Sequence, residues 1–258
     1  MLGEPVPSPG SYVATSDSRI TTVDTSAGDS LTTEPTGDLA RPRWYPTGVL
    51  LPTGEVVAFN GSDRDEVAGP GLEYPIRQAE LFDPETRTWR PVAQSHQPRT
   101  YHNTAALLPD GRVLVGGHAP ITTLYLSHIT IPGGFGPNDG RDPSFEVFKP
   151  PYLFRGPRPK IVEAPARIHQ GGRFEIESSV DAAEVESVIL MRNTALTHVV
   201  DGDQRAIELP VVAHQGGTLT LAAPPNASVA PDGPYLLYLN RSDADGPVPS
   251  KGAQLFVR

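Results

Sequence analysis

The chain has 258 residues, a formal net charge of −9 and no cysteine. This length allows one or two domains, and the negative charge disfavours binding to the phosphate backbone of a nucleic acid. The missing cysteines exclude disulfide bonds, thiolate metal ligands and a cysteine nucleophile. Because no run of about 18 apolar residues occurs, no membrane-spanning helix is predicted. The 25 glycines and 29 prolines favour an all-β fold of many short strands.

The N-terminal stretch gives the weakest structural signals. Residues 1–20 are rich in Ser, Pro and Gly, which predicts a flexible lead-in. No basic segment followed by an apolar one is present there, so no signal peptide is visible in this chain. The next stretch, 20–32, has β-rich runs on either side of Gly28 and predicts a hairpin.

A β-only pattern then occurs twice. Residues 43–59 and 99–116 share the order Arg, aromatic residue, Leu-Leu-Pro-x-Gly and strand, at an offset of 56 between Arg43 and Arg99. A repeat near ~50 residues with a Gly-Gly pair and a late Trp is typical of kelch-type propeller blades. In this alignment Tyr45 pairs with Tyr101, and Pro46 replaces His102, which argues against a second site at the first repeat.

The number of repeats is too small to close a propeller, since propellers have about 4–8 blades. Residues 21–152 are therefore predicted to be an incomplete propeller of about two blades. We expect that missing upstream blades or a partner chain would close it. A long loop at 119–142 follows the second repeat, and loops of this length usually carry function or cover another element.

A Pro-rich stretch, 150–159, predicts an extended linker at a domain boundary. After it, residues 158–258 contain short strands at even spacing, which is the pattern of an immunoglobulin-like β-sandwich. The predicted strands are 160–162, 173–178, 185–192, 197–200, 206–209, 218–222, 233–240 and 254–258. The predicted fold is therefore all-β, with propeller blades followed by a sandwich.

Three residues are candidates for a metal site. Tyr101 and His102 supply a phenol oxygen and an imidazole nitrogen, and His198 supplies a second imidazole from the other predicted domain. Such ligands suit a borderline metal such as copper. Adjacent residues on a regular strand point to opposite faces, so both could reach one ion only where the chain bends. The alternative is a packed aromatic residue beside a surface histidine.

The chain resembles the C-terminal part of the galactose oxidase and glyoxal oxidase family, the copper-radical oxidases. The matching motifs are at 99–113, 148–153 and 194–205, and the resemblance runs from about residue 40 to the end. It implies the last kelch-type blades followed by an early-set, immunoglobulin-like domain. It also implies one copper ion with Tyr101 as axial ligand and catalytic base, and with His102 and His198 as ligands.

The same resemblance implies a reaction and a location. The expected reaction is oxidation of a primary alcohol or aldehyde by O₂ to give H₂O₂, with a small alcohol, aldehyde or carbohydrate as substrate. The expected location is extracellular or at the cell surface.

The chain departs from the family at the radical cofactor, in which a Tyr from an earlier blade is cross-linked to a Cys. This cofactor cannot form from this chain alone, because the chain has no Cys. Whether the chain is an enzyme by itself is therefore left open. One alternative is a non-catalytic carbohydrate- or protein-binding module, and another is a fragment that folds poorly alone.

Overall fold

A computed structural model describes residues 4–5, 12–26, 28–64, 74–118, 142–198 and 200–258. Most of the predicted 119–142 loop and nine of the twenty residues of the predicted lead-in therefore lie outside the described residues. The strands before residue 150 are β1 (Glu4–Pro5), β2 (Tyr12–Val13), β3 (Arg19–Asp24), β4 (Ser30–Pro35), β5 (Thr47–Leu50), β6 (Val56–Phe59), β7 (Gln78–Asp83), β8 (Thr88–Gln94), β9 (Thr104–Leu107), β10 (Val113–Gly116) and β11 (Phe145–Phe148).

The strands after residue 150 are β12 (Ile161–Glu163), β13 (Arg167–Ile168), β14 (Arg173–Ser178), β15 (Val185–Arg192), β16 (Leu196–Thr197), β17 (Val200–Asp201), β18 (Ala206–Glu208), β19 (Val211–Gln215), β20 (Thr218–Ala222), β21 (Gly233–Arg241), β22 (Val248–Pro249) and β23 (Ala253–Val257). Two short 3-10 helices, Pro151–Phe154 and Ala182–Glu184, are the helical segments of the described residues. Neither has the length or the apolar character to cross a membrane. The all-β prediction is confirmed.

Two blade-like antiparallel sheets form the N-terminal half. The order β5-β6-β7-β8 gives one four-stranded sheet, and β9-β10-β11 gives a three-stranded one. The predicted hairpin turns are present, since Gly54 and Gly111 have φ values of 84° and 85°, where glycine carries no steric cost. The first strands of the two sheets, β5 and β9, lie side by side. Apolar residues of both sheets share one core that includes Leu51, Val57 and Val113.

The repeated arginines hold the strands of their own sheet together. Both Arg43 and Arg99 are 1% exposed. The guanidinium of Arg43 donates to the Asn60 carbonyl at 3.0 Å and pairs with Glu80 at 2.7 Å. The guanidinium of Arg99 donates to the carbonyl of Gly117 at 3.2 Å and lies 3.5 Å from Glu146. The shared sequence pattern therefore marks a shared structural role, which is to tie the start of the innermost strand to strands further out.

A β-sandwich forms the C-terminal half. One sheet has the order β12-β14-β20-β19, and the other has the order β13-β23-β21-β15-β18, with β22 paired to β21. The strand predicted to be central, β21, is buried from Tyr235 to Asn240. Its inward residues pack with apolar residues of β14, β15 and β20. Burial on both sides explains why this strand is apolar almost throughout rather than alternating.

The connection between the halves differs from the predicted extended linker. Pro151–Phe154 forms a 3-10 turn with proline in its first position, where the missing N–H is not needed. The turn places Tyr152, which is 0% exposed, in the core of the blade sheets. The Tyr152 hydroxyl donates to the carbonyl of Gly111. Burial of this large side chain, which sequence spacing does not reveal, overrides the extended preference of the Pro-rich segment.

Candidate metal centre

A bend in the chain brings the side chains of Tyr101 and His102 to the same side. His102 has a φ of 49°, in the left-handed region. The two rings stack with centroids 4.0 Å apart and planes at 29°. The bend also packs closely on the end of β10, because a Cβ added to Gly117 would lie only 2.7 Å from the carbonyl oxygen of His102. The required bend is therefore present, and it depends on a glycine in the neighbouring strand connection.

His198 reaches this bend from the sandwich. The segment 193–205, here called the finger, leaves β15, forms the small hairpin β16–β17 and returns to β18. His198 lies between β16 and β17 with a φ of 41°. Its ring centroid is 4.9 Å from that of His102, with the planes at 71°. The Thr197 hydroxyl lies 2.9 Å from Nδ1 of His198, which orients the ring and leaves Nε2 available.

The finger is held by contacts at its base and along its length. The side-chain oxygen of Gln204 accepts a hydrogen bond from the N–H of Leu50 on β5, at 3.2 Å. Asp201 accepts from the N–H of Ala195 at 2.9 Å. Asp203 forms ion pairs with Arg192 and Arg205 at 2.8 and 2.6 Å. These contacts shape the finger and attach it to the first blade sheet.

The electrostatics favour a neutral imidazole at His102. Burial, and secondarily the proximity of His198, lowers the pKa of His102. Its Nε2 atom is buried and has no hydrogen-bond partner among the described residues. A cavity of about 170 Å³ lies between the finger and the bend. Its lining consists of Thr47, His102, Asn103, Thr104, Leu196, Thr197 and His198.

This donor set fits a copper ion. Among the described residues no group of three His, Cys, Asp or Glu side chains could hold a metal, so the two imidazoles need a donor of another type. Tyr101, whose ring stacks on that of His102, offers a phenol oxygen as a third donor. Two nitrogens and one oxygen match the preference of copper for nitrogen and oxygen ligands in tetragonal geometry. A buried imidazole nitrogen without a partner is the state that a metal ligand requires.

The structure corrects the alignment of the two repeats around this site. The innermost strands begin at Thr47 and Thr104, and the left-handed residue two positions earlier is Tyr45 in one repeat and His102 in the other. By backbone position Tyr45 therefore corresponds to His102, not to Tyr101. The first repeat also contacts the site, because the rings of Tyr45 and Tyr101 are 4.5 Å apart.

Asn103 is a site residue to which the sequence patterns assigned no role. It is 4% exposed. Its side-chain oxygen accepts from the Thr47 hydroxyl at 2.6 Å and from the Asn60 amide at 3.2 Å. Its amide nitrogen donates to the Tyr45 carbonyl at 3.2 Å. Asn103 thereby joins the two blade sheets beside the bend. The position of Asn103 directly after the Tyr-His pair could have indicated a role at the site. Its hydrogen-bond partners are distant in sequence, so the sequence did not show which role.

Two family models match the chain. The model described as glyoxal oxidase N-terminus matches residues 14–152, and the model described as galactose oxidase-like, early set domain, matches residues 158–257.

Two curated relatives illustrate the similarity. An aldehyde oxidase, GLOX1, from Arabidopsis thaliana is 30% identical over 207 residues, which are 74% of this chain and 32% of the relative. A galactose oxidase from Gibberella zeae is 28% identical over 225 residues, which are 83% of this chain and 29% of the relative. This chain thus spans about a third of the length of each.

One solved structure has the same fold over nearly the whole chain. It is a fungal alcohol oxidase in complex with copper, with a TM-score of 0.78 over 95% of this chain and 48% of that one. The sequence identity is 24%, so this likeness is one of fold.

Proposed function

The chain belongs to the glyoxal oxidase and galactose oxidase family, and on that premise we propose that Tyr101, His102 and His198 bind one copper ion. The observation that carries the proposal is the meeting of the two imidazoles. A histidine on the finger of the sandwich lies with its ring 4.9 Å from a histidine at the start of a blade strand. Nothing in the local sequence around either residue requires this approach, whereas a shared ligand explains it.

The roles of the three residues follow from their chemistry. His102 and His198 would hold the ion through imidazole nitrogens, and Tyr101 would hold it through its phenol oxygen. Copper, when bound, supplies one-electron redox chemistry at this place. A deprotonated Tyr101 can accept the hydroxyl proton of a substrate alcohol, which is the part of a general base. His102 is half-buried and His198 is exposed, so the two imidazoles can be reached from solvent.

The proposed reaction is oxidation of a primary alcohol or aldehyde by O₂, with H₂O₂ as product. The relatives' names, aldehyde oxidase and galactose oxidase, support this reaction class. The chain lacks the cysteine that the family's Tyr–Cys cofactor needs. We therefore propose that upstream blades or a partner chain complete the oxidase. The extracellular location expected from the resemblance stays a prediction.

A copper titration tests the ligand set. Isothermal calorimetry with Cu(II) should show one site in the wild type, and electron paramagnetic resonance should show coupling to nitrogen. His198→Ala should weaken the affinity by about a hundredfold or more, since even loss of a hydrogen-bond partner of a metal ligand costs about 10–100-fold. The matched control is His214→Ala, which removes an exposed histidine on β19.

Two results would contradict the proposal: no binding of Cu(II), or an affinity that His198→Ala leaves unchanged. Either would favour the second candidate, a non-catalytic carbohydrate- or protein-binding module, which the missing cysteine already supports. If copper binds, oxygen consumption with a primary alcohol, measured on a protein that also carries the upstream blades, tests the reaction, and Tyr101→Phe should abolish it.

A further inference from the structure

Three electron-rich rings form a continuous cluster behind His102. The indole of Trp44 stacks on the ring of Tyr101 with centroids 5.7 Å apart and planes at 18°. The ring of Tyr45 lies 5.2 Å from Trp44 and 4.5 Å from Tyr101. Trp44 is 7% and Tyr101 is 9% exposed, and both belong to one buried apolar cluster with Ala14. The cluster is thus largely shielded from water and extends from the buried indole to the ring that stacks on His102.

This cluster is distinct within the part of the chain that the structure describes. In that part no other Tyr or Trp ring has a ring contact with a second Tyr or Trp. Trp89, the second tryptophan of the chain, contacts a phenylalanine, Phe82, at 5.2 Å. In a chain without cysteine, indole and phenol are the side chains that give up an electron most readily. Because electron transfer slows steeply with distance, rings in contact exchange electrons far faster than isolated ones.

We propose that Trp44, Tyr45 and Tyr101 form a one-electron relay between the buried indole and the phenol beside the two histidines. A one-electron oxidising radical, such as the azide radical, takes an electron from Trp44 and becomes its anion, and the indole N–H proton passes to the buffer. The resulting indolyl radical takes one electron and one proton from the phenol of Tyr45 or Tyr101. Trp44 is restored, and a phenoxyl radical remains in the cluster.

The biological role of the relay rests on the proposed function. A copper ion held by Tyr101, His102 and His198 would accept one electron, whereas oxidation of an alcohol or aldehyde removes two. The relay would supply a redox-active organic group from this chain's own residues, without the cysteine that the chain lacks. It would place the phenoxyl radical beside the ligands His102 and His198.

Radical transfer can be measured directly on the metal-free, full-length chain. Azide radicals made by pulse radiolysis oxidise tryptophan in preference to tyrosine, and the indolyl and phenoxyl radicals absorb at different wavelengths. Because the chain has two tryptophans, single variants isolate each one. In Trp89→Phe, the indolyl signal should still decay as the phenoxyl signal rises, at a rate independent of protein concentration. In Trp44→Phe, this transfer should be lost.

A second variant protects the test against misfolding of Trp44→Phe. The double substitution Tyr45→Phe with Tyr101→Phe keeps all three rings and removes only the phenol hydroxyls. The indolyl radical on Trp44 should then persist. The inference is overturned if transfer survives in Trp44→Phe, if it survives in the double phenylalanine variant, or if Trp89→Phe loses it. The experiment contains no copper, so its failure is separate from a failure of the copper titration.

Discussion

Left-handed backbone conformations occur at two candidate ligands, His102 and His198, and at the neighbouring Tyr45. Tyr45, His102 and His198 have φ values of 59°, 49° and 41°. Such conformations are uncommon outside glycine and cost about 1–3 kcal/mol each where the surroundings impose them. Here Asn103 holds the Tyr45 carbonyl, and Gly117 admits the bend at His102. The strained backbone conformations are therefore at residues whose rings lie at or next to the candidate metal centre.

His118 lies on the other side of the same bend. Its Nδ1 atom accepts a hydrogen bond from the backbone N–H of Thr100 at 3.2 Å, so this nitrogen must be unprotonated. Burial lowers the pKa of His118; Asp142 opposes this shift and Arg99 adds to it. Neutral His118 thus supports the segment that carries Tyr101.

This arrangement predicts a pH dependence of stability. The unfolded chain binds a proton at His118 near the ordinary pKa of about 6.5, whereas the folded chain binds it only at lower pH. Neutral His118 therefore contributes its full share to the free energy of unfolding above about pH 6.5. This share should be lost as the pH falls below that value. Urea unfolding at about pH 7.5 and pH 5.5 measures this effect. Between these pH values the free energy of unfolding of the wild type should fall by up to about 1 kcal/mol more than that of His118→Gln. Equal losses in both proteins would contradict this role for His118.

At the scale of elements, the finger is an excursion between two paired strands of the sandwich. β15 and β18 pair directly, with Leu190 opposite Ile207, so the residues between them are free to project. Gln204 contacts β5 through the Leu50 N–H and, more weakly, through the Gly48 carbonyl at 3.4 Å. Gln204 thus ties the base of the finger to the first blade sheet.

We predict that Gln204→Ala weakens Cu(II) binding without unfolding the protein. The loss of positioning should cost about tenfold in affinity, in the range of outer-shell effects at metal sites. The free energy of unfolding should change by less than about 1 kcal/mol, because the lost hydrogen bonds are exposed. Gln170→Ala is the matched control, since Gln170 bonds to Ala230 and Asp232 within the sandwich. An affinity equal to that of the control would show that the finger holds its position without Gln204.

At the scale of the whole molecule, the repeated hairpin turns of the two blade sheets dock on the sandwich. The Asn240 amide donates to the Pro52 carbonyl in the first turn at 2.8 Å, and the Tyr238 hydroxyl donates to Leu108 at 3.0 Å. Arg158 donates to the Asp110 carbonyl in the second turn at 2.6 Å. The Leu-Leu-Pro-x-Gly repeats are thus turns and also the contact surface that fixes the sandwich, and with it the finger, relative to the blades.

Asn240 is buried at this contact, so its substitution should destabilise both the blade sheets and the sandwich. Asn240→Leu leaves the Pro52 carbonyl and the Ser187 hydroxyl without their shared donor. The expected cost is about 1–3 kcal/mol in the free energy of unfolding, the penalty for buried polar groups left unpaired. Denaturant unfolding should also become less cooperative. Asn193→Leu, at a half-buried side chain that bonds to Gln254 within the sandwich, serves as control. A stability equal to the control would mean that the turns do not couple the halves.

Local sequence patterns were sufficient to predict the strands and hairpins, but not which residues of these elements contact one another. The hairpins at Gly54 and Gly111 follow from turn chemistry and alternation, which act over a few neighbouring residues. The Tyr45 alignment failed because strand pairing, not residue type, sets which position carries the left-handed bend. The prediction of an extended linker at 150–159 was wrong because Tyr152 is buried against the turn at Gly111, some forty residues earlier in the chain.

The amino-acid sequence by itself determined the all-β class, the two repeats and the three candidate ligands, since periodicity, turn residues and ligand chemistry are properties of short segments. Only the tertiary structure decided that His198 approaches His102, that Tyr45 and Trp44 join Tyr101, and that Asn103 links the sheets. Those contacts join residues that lie far apart along the chain, and they exist only because the docked sandwich and the paired strands bring the segments together.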